Sequence, residues 1–164
     1  MELKSVDKSQ LLETLRARLE DDLRNVTLAQ KAAQEGATHE ENRQESDKDM
    51  RSTEVSYLAR GQAERVISLR EELALLVSLR PRAFSEDDAV AATALVRLIE
   101  DEAETVHFLV PAGGGLRLDW QRLSIGILTP RSPLGQNLLG ARQGDVVGLD
   151  GPEGSREFEV VEVA

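Results

Sequence analysis

Two long apolar stripes at helical spacing constrain this chain more than anything else in its 164 residues. From Lys8 to Gln34 there is no glycine and no proline, and apolar residues recur at Leu12, Leu15, Leu19, Leu23, Val26, Ala29 and Ala33. Steps of three and four place them on one face of a helix. At ~1.5 Å per residue such a helix is roughly 40 Å long, more than a compact domain of this size can enclose. A second stripe runs through Val55, Leu58, Val66, Leu69, Leu73 and Leu76, with Gln62 as a polar interruption beside Gly61. Pro81 ends it, because proline lacks the amide donor and clashes with a continuing turn. The short charged break from Glu35 to Met50, with Gly36 inside it, predicts an antiparallel hairpin of helices over about Lys8–Gln34 and Ser46–Leu79 that stands away from the rest. The midpoint falls near Arg43, so residues 36–49 form the tip, with Glu40, Glu41, Glu45, Asp47 and Asp49 at or near it.

Composition supports an extended shape. Charged residues are 30% of the chain, above the ~25% usual in soluble domains. Aromatics are only 3%, so the core must come from Leu, Val, Ile and Ala. The formal net charge of −10 is opposite to that of a free-standing DNA-binding module. Any work on nucleic acid is then expected to pass through a second protein. The absence of cysteine excludes disulfides and thiolate metal sites. No apolar run reaches 18 residues and the first seven residues are polar, so no membrane partner, no signal peptide and a cytoplasmic location are expected.

The second half changes character. Eleven of the twelve glycines lie at or after Gly61, ten of them after Pro111. Thr105–Val110 and Glu157–Val163 read as strands, Gly113–Gly115 as a turn. Ser132-Pro133 followed by Leu134, Leu138, Leu139 and Gly140 predicts a short helix with a capping serine, a first-turn proline and a left-handed glycine stop. Gly144-Asp145 then leads into a strand at Val146–Leu149, and Gly151–Gly154 turns the chain back. These elements make an α+β domain from about Ser85. Residues 86–102 have helical propensity behind Ser85, but Val90, Thr93, Val96 and Ile99 leave a strand open.

Thr129-Pro130-Arg131-Ser132-Pro133-Leu134, then Leu138-Leu139-Gly140 and Gly144-Asp145-Val146-Val147, resembles the C-terminal signature of the GreA/GreB transcription elongation factors. The resemblance implies division into a coiled-coil hairpin with an acidic tip (1–81) and an FKBP-like antiparallel β domain with one short helix (82–164). It also implies that Ala94–Ile99 and Thr105–Val110 form the first strand pair, against the helical propensity there. Ser132, Pro133, Leu134 and Asp145 become candidate partner-binding residues on a domain that docks on RNA polymerase. Glu35-Gly36 and Glu41-Asn42 are similar to the family's tip motif, although Ala37 and Thr38 stand where the family has an aspartate.

By that resemblance the hairpin enters the polymerase secondary channel. Tip carboxylates there help hold a Mg²⁺ shared with the polymerase, with no cofactor bound permanently. Mg²⁺ favours oxygen ligands and often takes only one or two carboxylates from a protein; a metal pair activates water and stabilises the leaving oxygen. Glu41 ranks first for the catalytic role, then Glu40, Glu45 and Asp47; Glu41, Glu40, Asp47 and Asp49 are the candidate metal ligands. The plain alternative is a solvated charged loop. The nascent RNA 3′ end is touched only indirectly, the polymerase remains the enzyme, and a monomer is expected. His39 adjoins the carboxylates, but one histidine is a weak metal signal. His107 reads as a structural strand residue. Arg43, Arg51, Arg60 and Arg65 read as surface charges. Two further functions compete: a channel-occupying regulator without cleavage, and a peptidyl-prolyl isomerase. The second needs an aromatic pocket from Phe84, Phe108, Trp120 and Phe158.

Overall fold

The computed structural model describes residues 1–40 and 48–164. A 3₁₀ turn at Leu3–Ser5 precedes α1 (Lys8–Glu40) and α2 (Lys48–Val77). Then follow β1 (Leu95–Glu100), β2 (Ala103–Leu109), β3 (Arg117–Trp120), β4 (Leu123–Leu128), α3 (Pro133–Leu138), β5 (Val146–Gly151) and β6 (Gly154–Val163). This is an α+β chain of two compact units. One comprises Ala17–Ala74; the other joins Met1–Arg16 to Leu75–Ala164.

Asp7 starts α1: its carboxylate accepts from the backbone N–H of Ser9 and Gln10, both at 3.0 Å. That satisfies two donors no helical carbonyl can reach. The helix runs six residues past the expected end, through Gly36. A glycine inside a helix costs about 1 kcal/mol, which good helix formers on either side offset. In the Ala17–Ala74 unit the inward positions of α2 step as Val55, Ala59, Gln62, Val66 and Leu69, with Val66 and Leu69 buried and Leu19 buried on α1. This corrects the expected stripe at one place. Leu58 is 61% exposed and Ala59 takes the inward position, because alternating four-three spacing, not side-chain hydrophobicity, selects the seam. Gln62 is half-buried with its Oε1 unpartnered. Arg60–Glu64 and Arg18–Asp22 are i,i+4 surface pairs at 3.4 and 3.5 Å, each worth a few tenths of a kcal/mol.

The other unit is built on a six-stranded sheet ordered β3-β4-β2-β1-β6-β5. The expectation of an antiparallel sheet is corrected: β2 and β4 pair in parallel, with Val106 opposite Ile125 and Phe108 opposite Ile127. The reason is topological. The chain leaves β2 through Val110–Leu116, reverses, and lays β3 one place further out. The β3–β4 hairpin then turns β4 into the gap, where it must run with β2. β1 and β2 pair antiparallel across a two-residue turn in which Asp101 and Glu102 both have positive φ, 45° and 70°. The strand pair expected on either side of this turn is present, and residues 86–94 are not helical.

Both faces of the sheet are covered. On one, Val96, Leu98, Leu109, Phe158, Val160 and Val163 join Phe84, Val90, Leu138 and Val147 in a core. On the other, Leu95, Val106, Phe108, Leu118, Ile125 and Ile127 are also buried, as strand alternation requires of a two-sided core. Leu3, Val6, Leu11, Leu12, Leu15 and Leu76 add buried side chains to this unit. The first residues, polar in aggregate, thus carry two core anchors. Leu3 N–H donates to Glu162 Oε1 at 2.6 Å, and Arg97 Nη2 donates to the Met1 carbonyl at 2.6 Å. Arg16 closes the other end of the helical root, donating through Nη2 to the carbonyls of Leu76 and Val77 at the end of α2. That helix has no basic residue of its own in its last turn, so Arg16 supplies the cation its carbonyl end favours.

Candidate functional site

The Ser132–Val147 signature folds into a turn, a helix and a strand entry held by its own polar groups. Ser132 sits at the N-cap of α3 in extended conformation. Its Oγ accepts from Gly135 N–H at 3.1 Å and donates to the Thr129 carbonyl at 2.8 Å. Pro133 occupies the first turn, where no amide donor is needed. Leu134 packs against the core from a half-buried position. Gly140 has φ 85°, the left-handed stop expected of it. Asp145 caps the next turn: its carboxylate accepts from Arg142 N–H at 2.7 Å, and its own N–H donates to the Arg142 carbonyl at 3.0 Å. All four residues named from the sequence therefore lie in one continuous segment, and each has work inside the domain.

Gly135 is the residue that sequence reasoning passed over here. A Cβ at this position would lie 2.0 Å from the Thr129 carbonyl oxygen, so the signature closes only around glycine. Its sequence trace is the glycine one turn inside a serine-capped helix, where propensity alone would avoid it. Asn137, also unremarked, donates through Nδ2 to the Gly148 carbonyl at 2.7 Å and ties α3 to β5. β5 is an edge strand. Its first residue, Val146, is 59% exposed and Leu139, which follows α3, is 43% exposed, two large apolar groups left on the surface of the segment.

The tip is a different matter. Glu40 ends α1 and Asp49 lies in the first turn of α2; Glu41, Glu45 and Asp47 lie outside the described residues, as does Arg43. Among the described residues no three His, Asp or Glu side chains come together as a metal site. Arg65 pairs with Glu72 at 3.4 Å.

His107 is a half-buried titratable group of β2. Burial, then the nearby Arg117 charge, push its pKa below the usual histidine range. Its Nε2 lies 3.2 Å from Thr105 Oγ1. Gly126, opposite it on β4, leaves room for the ring: a Cβ there would meet Nδ1 at 2.9 Å. Phe84, Phe108 and Phe158 are buried, so they line no open aromatic pocket. A cleft of about 440 Å³ is lined instead by Lys4, Glu86, Arg97, Glu104 and Glu162, among others, with no aromatic residue. In it Arg97 bridges Glu162 and Glu104, both at 3.0 Å. Burial opposes its charge, but those hydrogen bonds hold its pKa above the ordinary value.

Residues 86–164, which carry β1–β6 and the α3 segment, match the family model described as Transcription elongation factor, GreA/GreB, C-term. This segment, 79 of the 164 residues, is a GreA/GreB C-terminal domain. The Transcription inhibitor protein Gfh1 of Thermus thermophilus is 40% identical over 60 residues, 28% of this chain and 38% of that protein. Transcription elongation factor GreA of Xanthomonas campestris pv. campestris is 45% identical over 42 residues, 26% of this chain and 27% of that protein. The matches thus span well under half of these Gre-type relatives. The crystal structure of Thermus aquaticus Gfh1 aligns over 90% of this chain and 92% of its own, at 21% identity and a TM-score of 0.37. No described helix of the chain is long and apolar enough to cross a membrane.

Proposed function

We propose that this chain is an RNA polymerase-binding transcription factor. In this reading its β domain docks on the polymerase, and its helical pair, a coiled coil, carries the acidic tip into the secondary channel to stimulate cleavage of backtracked transcript. The observation that carries the reading is the family match over residues 86–164, whose signature segment folds as one capped unit. The exposed Leu139 and Val146 beside the β5 edge supply apolar docking area of the kind found at the centre of interfaces. The tip supplies carboxylates, Glu41 first, then Glu40, Glu45 and Asp47, to a Mg²⁺ shared with the polymerase. Such a metal would polarise the phosphodiester and activate water; the polymerase remains the enzyme.

The test adds the full chain to stalled, backtracked elongation complexes and looks for short 3′ RNA products. Glu41→Ala is expected to abolish stimulation while binding is kept, because an exposed carboxylate contributes within about 0.5 kcal/mol to folding. A ligand used only in the chemical step lowers rate and not affinity. Wild-type behaviour of Glu41→Ala, Glu40→Ala and Asp47→Ala in a working assay would show the tip has been misplaced. The full chain is used because Leu3, Val6, Leu11, Leu12 and Leu15 are buried in the docking unit, and a fragment of residues 82–164 would lack them.

A second reading keeps the docking and drops the chemistry. Ala37-Thr38 follow Gly36 where the resemblance expects an aspartate, and one relative carries the name transcription inhibitor. Slowed initiation or elongation with no cleavage at any Mg²⁺ concentration would select it.

A further inference from the structure

The sheet has two outer strands, and their free edges differ. On β5 the Gly148 carbonyl is already occupied, accepting from Asn137 Nδ2 at 2.7 Å. On the other side β3 is the outermost described strand. Its hydrogen bonding alternates between two fixed ends. The Leu116 carbonyl accepts from Ile127 N–H at 2.8 Å, and Trp120 stands opposite Leu123 across a two-residue turn. Leu116, Leu118 and Trp120 therefore turn their main-chain groups toward β4, and Arg117 and Asp119 turn theirs outward. The same two residues carry the charges of the strand, on one face of the sheet, and both are exposed. Arg117 Nη1 donates to Ser124 Oγ at 3.3 Å. Asp119 belongs to no ion pair among the described residues.

We propose that the β3 edge is an interface for a second copy of this chain, in place of the monomer the sequence suggests. An open row of N–H and C=O groups invites another strand, and edge charges of one sign would repel a second copy. Here the two outward residues have opposite signs, so the edge is complementary to itself. The strands run antiparallel about a two-fold axis through the Leu118 pair. Arg117 of each copy then faces Asp119 of the other and exchanges both main-chain bonds with it. That makes four N–H···O=C bonds and two cross-strand ion pairs. The neighbouring registers, centred on Arg117 or on Asp119, set Arg against Arg or Asp against Asp, which is destabilising. On the other face Leu118 meets Leu118, and half-buried Leu116 comes opposite half-buried Trp120. Each chain carries a net charge of −10, which opposes association. At physiological salt the Debye length of about 8 Å screens the distant charges far more than the pairs in contact. The contact is short, so association is weak and depends on concentration. The β5 edge lies at the far side of each sheet and is left free, so this contact stands or falls independently of docking there.

Sedimentation equilibrium of the full chain at physiological salt, up to the highest concentration that stays in solution, tests the proposal. The wild type is expected to approach the dimer mass, with a shift in the emission of Trp120, the single tryptophan. Arg117→Asp alone and Asp119→Arg alone each set like charges opposite one another and should weaken association by at least about tenfold. Mixed in equal amounts, these two variants restore both Arg–Asp pairs and should associate as the wild type does. The mixture also separates a lost contact from a failure to fold, because only folded edges can restore it. A wild type that stays monomeric, single variants that associate like the wild type, or a mixture that stays monomeric would each overturn the proposal.

Discussion

Substituting Gly135 by alanine tests whether the Ser132–Val147 segment is held by backbone packing. The added methyl would stand 2.0 Å from the Thr129 carbonyl oxygen, 2.8 Å from Ser132 Oγ and 2.9 Å from the Thr129 carbonyl carbon. Carbon and oxygen rest at roughly 3.3 Å or more, so the Thr129 carbonyl must move by roughly 1 Å. That carbonyl accepts from Ser132 N–H at 3.0 Å and Ser132 Oγ at 2.8 Å, and both bonds loosen with it. Overpacking against a rigid neighbour costs about 1–3 kcal/mol, and loss of a serine cap about 1 kcal/mol. The sum is about 2–4 kcal/mol before any shift of Leu138, which α3 seats in the core at 1% exposure. At roughly 2–4 °C per kcal/mol for a chain of this length, the melting temperature should fall by about 5–15 °C. Trp120, the single tryptophan, lies in the sheet unit, so its fluorescence in a urea titration reports on that unit. Gly148→Ala is the control, since a Cβ there meets nothing within 4 Å. A Gly135→Ala midpoint matching Gly148→Ala, at unchanged slope, would refute the reasoning.

Two further outcomes are expected from the same physics. Glu102→Gly should stabilise the chain by roughly 0.5–1 kcal/mol, because positive φ in a two-residue hairpin turn favours glycine, and an unchanged or lowered urea midpoint would count against it. His107 has a folded pKa below its unfolded value, so between the two the unfolded chain binds a proton that the folded chain does not. Its contribution is then fully present above about pH 6.5 and is lost as pH falls below that value. Stability measured from pH 7 to pH 5 should drop less steeply in His107→Gln, and equal slopes would show that the imidazole is not responsible.

Local chemistry made several elements legible in the sequence. Ser132, Pro133 and Gly140 mark both ends of α3 because caps, first-turn prolines and left-handed stops are settled by neighbours within a few residues. The absence of glycine and proline from Lys8 to Gln34 announced α1 for the same reason. The strand at Ala94–Ile99 came from the family resemblance, since propensity in residues 86–102 left helix open, whereas Thr105–Val110 was legible from its own β-branched residues; the two-residue turn at Asp101–Glu102 shows only in the structure. Tertiary bonds decided residues 86–94: Val90 N–H donates to the Ala141 carbonyl at 2.8 Å, Gly140 N–H to the Val90 carbonyl at 2.9 Å, and Thr93 N–H to the Leu109 carbonyl at 2.7 Å. Those partners are distant in sequence and invisible to any local pattern. The strands Arg117–Trp120 and Leu123–Leu128 went unnamed, and the parallel pairing of β2 with β4 followed only from where β3 is laid. Leu3 and Val6 sit in a polar stretch whose core role depends on a sheet closed by the far end of the chain, through Glu162 and Val163. The bonds from Lys8 Nζ to the Arg82 and Thr93 carbonyls are likewise a tertiary product, because these residues, far apart in sequence, meet only once the unit is packed.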